Sequence, residues 1–161
     1  MASLPTARWL ALLLPAALLG GALVSQYVFG LYPCEMCMWQ RWPHLAAIVF
    51  ALLALALRSR PGSRTLVIAA ALSVLISGLI GGFHAGVEYG WWEGFTSCST
   101  NLPAGGDLLD SIMNAPLVRC DVAPWSLFGI SLAGYNFLLS AGGAIAILAL
   151  AAKGRRNGNH G

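Results

Sequence analysis

From Trp9 to Leu31 the chain runs for 23 residues without a single charge. As a helix such a run measures about 35 Å at about 1.5 Å per residue, enough to cross a hydrocarbon layer about 30 Å thick. Two more long runs follow, Leu66 to Phe83 with 18 apolar or small residues and Trp125 to Ala152 with 28 uncharged ones. Charged residues make up 9% of the 161 and mean hydropathy is +0.73, which excludes a water-bounded globule, where about a quarter would be charged. The net charge of +3 does not indicate nucleic acid, because the basic residues sit in short clusters beside apolar runs, as membrane topology requires. The expected fold class is all-α: a polytopic four-helix membrane bundle, one domain over 1–161, with helices near 9–31, 39–57, 65–84 and 125–152.

The boundaries follow from local chemistry. Pro33 disfavours helix at Tyr32 and marks the exit of the first span. A secretory signal peptide is the alternative for that segment, but the run exceeds a signal's apolar region of about 7 to 15 residues and lacks a clear small-x-small cleavage site. Leu45 to Leu57 is 13 residues, too short to span, so the second helix must start near Trp39 and carry Gln40, Arg41, Pro43 and His44 in its first turns. Trp125, preceded by Pro124, is read as the start of the fourth helix. Between them Val87 to Pro124 is the long hydrophilic stretch, with five of the six acids. Within it Leu108, Leu109, Ile112 and Met113 recur beside Asp107 and Asp110 at the spacing of a short surface helix.

Charge asymmetry orients the bundle. With both termini cytoplasmic, the inner segments hold Arg8, Arg58, Arg60, Arg64, Lys153, Arg155 and Arg156, leaving Arg41 and Arg119 outside with all six acids. The loops near 32–38 and 87–124 then face the periplasm, where thiols are oxidised. All four cysteines lie in them.

Cys34 and Cys37 form a C-x-x-C pair just ahead of a helix, where exposed amides and the helix dipole favour the thiolate. Arg41, one turn beyond Cys37, adds a fixed positive charge able to stabilise a thiolate or a reduced acceptor oxygen. Glu35, between the cysteines, opposes both effects. Met38 in place of His removes the haem-attachment reading. Cys98 and Cys120 are 22 positions apart in a loop containing Gly94, Gly105 and Gly106. By themselves they read as a loop staple, and a four-cysteine zinc site is disfavoured by the oxidising compartment and the wide spacing, so no metal is expected. Two pairs on one side of a bundle, one at the bilayer edge and one on an arm, suit thiol-disulfide exchange between a soluble partner and a lipid-soluble oxidant. His84 reads either as a group near that oxidant or as a helix-end histidine at headgroup level. Gln26 reads as interhelical glue or a pocket residue, Trp39 and His44 as interfacial anchors, and Ser131 and Asn136 as packing or helix-helix bonding.

In this order the residues resemble the disulfide bond formation protein B (DsbB) family of bacterial inner-membrane thiol oxidases. The resemblance covers nearly the whole chain: Gln26, Pro33-Cys34-x-x-Cys37, Gln40-Arg41-Trp42-Pro43, Phe83-His84-x-Gly86-Val87-Glu88, Trp91-Trp92, Gly94 and Cys98, then Cys120-Asp121, Pro124-Trp125 and Gly129-Ile130-Ser131-x-Ala133-Gly134-Tyr135-Asn136. Vitamin K epoxide reductases, which place their loop cysteines before the C-x-x-C, fit worse. Val122 and Ser126 depart from the family, where an acid and a basic residue are common, and both fall near Cys120, where a partner would dock.

The resemblance implies a relay. A periplasmic DsbA-like thioredoxin-fold dithiol would attack a Cys98–Cys120 disulfide and form a mixed disulfide with Cys98. Cys120 would exchange with Cys34, and Cys37 would deliver electrons to ubiquinone or menaquinone held near Arg41 and His84. Rival readings are a membrane scaffold with two static disulfides and a reductase running the relay in reverse. The first is weakened because a disulfide across a two-residue gap constrains little chain entropy.

Overall fold

The computed structural model describes residues 3–94, 99–100 and 117–158. Four helices make up nearly all of it: α1 (Ser3–Tyr27), α2 (Glu35–Ala56), α3 (Ser63–Glu88) and α4 (Leu132–Gly158). Two short antiparallel ladders complete it, β1 (Ser99–Thr100) with β2 (Leu117–Val118), and β3 (Ser126–Leu127) with β4 (Ile130–Ser131). Helix α3 packs most extensively on α2 and α4, and α1 on the same two, so α1 and α3 sit diagonally in a four-helix bundle. Three helices, α1, α3 and α4, are long and apolar enough to cross a membrane. Helix α2 has the length at 22 residues, but its first turns carry Glu35, Gln40, Arg41 and His44.

The packing is inverted relative to a water-soluble core. Ala7, Ala11, Ala47, Ala51, Ala54, Ala70, Ala71, Ala144 and Ala151 fill the centre with Val67, Val74 and Ile147. Large apolar side chains such as Leu13, Leu52, Ile76, Leu79 and Ile145 point outward. Where the surrounding solvent is as apolar as leucine, helices gain by close approach, and small residues permit it. Gly81 illustrates this: a Cβ there would lie 3.0 Å from Ala133 O and 3.1 Å from Gln40 Oε1.

Several helix boundaries differ from those expected. Helix α1 ends at Tyr27 rather than near Leu31, because the chain turns through Gly30 at φ +68°. Helix α2 starts at Glu35, four residues before Trp39, because the Cys34 sulfur caps it by accepting the Cys37 amide at 3.2 Å. Pro43 therefore lies in the third turn, not the first. Helix α3 runs on to Glu88 instead of ending at His84. Trp125 does not start a helix. Residues 126–131 form a hairpin whose turn residues Phe128 and Gly129 both have positive φ, 51° and 77°, the pattern of a tight primed turn. Ser131 then caps α4 by accepting the Gly134 amide at 3.1 Å. The Tyr89 hydroxyl pins this hairpin to α3, donating to Gly129 O and accepting from Ser131 N, each at 3.1 Å. The surface helix expected around Leu108–Met113 lies outside the described residues.

At one end of the bundle Arg8 donates to the Ser63 hydroxyl at 3.0 Å and to Arg58 O at 3.1 Å, tying α1 to the basic turn between α2 and α3. The first turn of α2, which bears Cys34 and Cys37, lies at the opposite end.

Several polar groups buried along the bundle bond to one another, while His44 Nδ1 is buried without a partner. Asn136 donates from Nδ2 to Gln40 Oε1 at 2.8 Å and to Ser77 O at 3.2 Å, and accepts at Oδ1 from Ser140 at 2.9 Å. His44 Nε2 lies 2.9 Å from both Asn136 Oδ1 and the Ser77 hydroxyl, so this histidine is a buried cross-link rather than an interfacial anchor. Asn136→Ala is expected to lower stability by about 1–2 kcal/mol in reversible unfolding from mixed micelles. An unchanged unfolding curve would show that the network contributes no net stability.

Candidate functional site

The site begins with the local chemistry of the C-x-x-C. Because Cys34 is the N-cap of α2, its partner three residues on occupies the first turn, and the two sulfurs are 3.0 Å apart. Both precede the apolar part of α2. The Cys34 thiol donates to Cys37 Sγ, so the proton stays on Cys34 and the negative charge falls on Cys37. That hydrogen bond pushes Cys34 well above the usual thiol range, and burial acts in the same sense. The same bond holds Cys37 well below its usual value. Burial opposes this, and the His84 imidazole and the helix-start amide reinforce it. Glu35 is exposed and does not enter this hydrogen bonding.

His84 and Cys120 complete the buried centre. Gln40 Nε2 donates to Met36 O at 3.1 Å and to His84 Nδ1 at 3.0 Å, while Gln40 Oε1 accepts from Asn136. This assigns the acceptor role to Nδ1 of a neutral His84 and leaves the proton on Nε2. Nε2 faces the backbone carbonyl of Cys120 at 3.2 Å and Cys34 Sγ at 3.5 Å. Of the two readings of His84, the helix-end histidine at headgroup level does not hold: the side chain is buried, because α3 continues for another turn. Cys34 Sγ, Cys120 Sγ and a ring nitrogen of His84 all lie within 4.8 Å of one another, and Cys34 and Cys120 share a small apolar cluster with Met36 and Val87. Those three atoms are also a donor set suited to a soft cation. Next to Cys120, Arg119 and Asp121 form a two-pronged exposed ion pair, with Nε to Oδ1 at 2.8 Å, and the guanidinium holds the Asp121 carboxyl below its usual range. Cys98 lies outside the described residues.

On the other side of Cys37 a cavity of about 270 Å³ opens between α1, α2 and α4. Its wall is mostly apolar and small, including Ala17, Leu18 and Gly21 of α1, and Cys37 and Arg41 of α2 contribute the reactive and cationic groups. Arg41 is held in place by α1: Nη1 donates to Gln26 Oε1 at 2.5 Å and Nη2 to Ala22 O at 3.3 Å. Gln26 therefore joins helices through the guanidinium. Trp39 is exposed, in keeping with an anchor.

The structure brings together Cys34, Cys37, Cys120, Arg41 and His84 within this end of the bundle. Two residues at the site had no functional role in the sequence reading. Gln40 enters the sequence reading only as part of a motif and as a residue of the first turns of α2; its signal is a polar residue one turn after the C-x-x-C in an otherwise apolar helix. Glu88 follows His84 by four residues, a spacing that places both on one helix face, and it lines the cavity.

The family model described as "Disulfide bond formation protein DsbB" matches residues 5–150. The chain is 33% identical over 151 residues to disulfide bond formation protein B of Verminephrobacter eiseniae, covering 87% of this chain and 81% of that one. It is 36% identical over 127 residues to disulfide bond formation protein B of Chromohalobacter salexigens, covering 78% and 66%. An uncharacterised protein of Rickettsia prowazekii is 28% identical over 127 residues, 76% of this chain and 73% of that one. No solved structure matches. A match over nearly the entire chain, together with a helix-capping C-x-x-C against a second buried cysteine, places it: the chain belongs to the DsbB family of disulfide bond formation proteins.

Proposed function

We propose that this protein is a thiol:quinone oxidoreductase of the bacterial inner membrane, which reoxidises a periplasmic DsbA-like dithiol protein and passes the electrons to ubiquinone or menaquinone. In this reading all four helices span the bilayer, both termini are cytoplasmic, and the four cysteines face the periplasm. The observation that carries it is the position of the C-x-x-C between two environments. Cys34 faces a second buried cysteine, Cys120, and Cys37 faces a cavity with Arg41. A static scaffold would have no use for a thiolate beside a cavity.

The cavity suits the head of a quinone: it is of small-molecule size, apolar, and lined with one cation on its wall. Arg41, beside Cys37, is the residue that would hold that head, and when bound it supplies an acceptor for two electrons and two protons. His84, expected from the resemblance to lie near the quinone, does not line the cavity; its ring nitrogens face Gln40, Cys34 and the Cys120 carbonyl, so its part is beside the sulfurs that exchange. Arg41, fixed by Gln26 and Ala22 O, presents its remaining donors to an oxygen that gains negative charge.

On the periplasmic side the partner's thiolate attacks Cys98, the Cys98–Cys120 bond breaks, and Cys120 leaves as the thiolate. Cys120 then attacks Cys34, the sulfur it lies near, and Cys37 leaves. A leaving thiol departs faster the lower its pKa, and the hydrogen bonding assigns the low value to Cys37. Val87 and Met36 exclude water around Cys34 and Cys120 during the exchange. The backbone ladder that pairs Ser99 with Val118 joins the two sequence neighbourhoods of Cys98 and Cys120.

The deciding experiment follows quinone absorbance in purified protein given a reduced thioredoxin-like dithiol protein and a soluble ubiquinone analogue. Wild type is expected to consume the quinone and Cys37→Ser to be inert; turnover by Cys37→Ser would remove the C-x-x-C from the mechanism. In a trapping assay, Cys120→Ala should accumulate a mixed disulfide between Cys98 and the partner. A complex that forms equally well in Cys98→Ala would reverse the two roles. For the reduced protein, alkylation of Cys37 by iodoacetamide should stay nearly constant through neutral pH and fall only in the acid range. A rate that climbs steadily toward alkaline pH, as for an ordinary thiol, would contradict the thiolate assignment.

A further inference from the structure

The relay above uses the four cysteines, Arg41 and His84, and leaves one buried ionisable group beside them without a task. Glu88 is the last residue of α3, one turn beyond His84. Its side chain is 2% exposed, Oε1 lies 3.8 Å from His84 Nε2, and Oε2 is buried with no hydrogen-bond partner. Glu88 lines the cavity that holds Cys37 and Arg41, and among the described residues it is the acid there.

As a structural element this carboxyl is poorly placed. A negative charge at a helix C-terminus opposes the macrodipole, and burying a carboxylate with an unpaired oxygen costs several kcal/mol. The groups facing it are His84 on its own helix, Cys37 and Arg41 from α2, and Ser131 from the segment leading into α4. When the C-x-x-C is reduced and Cys37 holds the thiolate, two anions would share this wall with a neutral imidazole and a single guanidinium, Arg41, which is already bonded to Gln26 and Ala22 O. Moving a proton onto Glu88 lowers that repulsion, and Glu88 Oε1 lies 3.8 Å from His84 Nε2, which is itself 3.5 Å from Cys34 Sγ, so the carboxyl sits beside the reacting sulfurs.

We propose that Glu88 is the proton-carrying residue of the C-x-x-C centre, loaded when the cysteines are reduced and unloaded into the cavity when they are reoxidised. On reduction by a dithiol, the Cys34–Cys37 bond breaks and takes up two electrons. Of the two protons released by the donor, one goes to Cys34 as thiol and the other to the Glu88 carboxylate, leaving Cys37 as thiolate. On reoxidation the Cys34–Cys37 bond re-forms and two electrons leave. The Cys34 thiol and the Glu88 carboxylic acid then release the two protons that a quinone needs to become quinol. The unloading half rests on the proposed function; the loading half does not.

The test uses full-length protein freed of quinone, with infrared difference spectra between the oxidised and the dithiothreitol-reduced state. A carboxylic acid stretching band should appear on reduction, shift in heavy water, disappear in E88Q and persist at a displaced frequency in E88D. No such band in wild type, or the same band in E88Q, would overturn the assignment. If E88Q fails to insert, E88D alone decides: a displaced band supports Glu88 and an unmoved one refutes it. In quinone reduction E88Q should lower kcat on the order of 100-fold with the quinone KM little changed, the loss expected for a missing proton donor. An unchanged kcat would refute the unloading step. Wild type that shows the band yet reduces no quinone would leave Glu88 as a redox-linked proton carrier and overturn the oxidase reading instead.

Discussion

A polar group buried between these helices is costly unless another protein group meets it, because an apolar surrounding offers no partner. Gln40 is where that constraint concentrates. One amide group meets three elements: it donates to Met36 O within α2 and to His84 on α3, and it accepts from Asn136 on α4. Remove it and His84 loses the contact that assigns its Nδ1 as acceptor, while Asn136 loses a link to α2. The proton on His84 Nε2, and hence its aim toward Cys34 and the Cys120 carbonyl, depends on an amide that touches no sulfur.

The inverted packing serves the same end. Alanine and glycine along the bundle axis bring backbones close enough for short side chains such as Ser77 and Asn136 to reach across. Gly86 does so locally: the Trp92 indole occupies the space a Cβ would need, and its Nε1 donates to Phe83 O at 2.9 Å, folding the chain after α3 back onto the helix end. Together with the Tyr89 clamp on the hairpin, this brings the segments before and after the long loop back to the end of the bundle that bears the cysteines.

Much of this was legible in one dimension. Uncharged runs revealed helices α1, α3 and α4, since nothing but a helix satisfies the backbone of so long an apolar stretch. The C-x-x-C ahead of a helix, and Arg41 one turn later, could be placed because capping and the helical repeat are local rules. Boundaries were less legible where a side chain or a turn overrode the run. Cysteine is an unusual cap, so α2 starts earlier than its apolar residues suggest. Phe128 at positive φ turned an apolar stretch after Trp125 into a hairpin.

The sequence by itself determined a membrane-type helical bundle, its DsbB-type spacing of cysteines and the thiolate-favouring helix start, because each depends on residues within a few turns of one another. The tertiary structure alone decided which sulfur meets which neighbour. That Cys34 faces Cys120 while Cys37 faces the cavity, that His84 is buried with its proton directed at them, and that Glu88 reaches the same wall follow from how α2, α3 and α4 are rotated against each other. Interhelical rotation is set by the sum of small-residue contacts and buried hydrogen bonds across the bundle, and no local spacing encodes that sum.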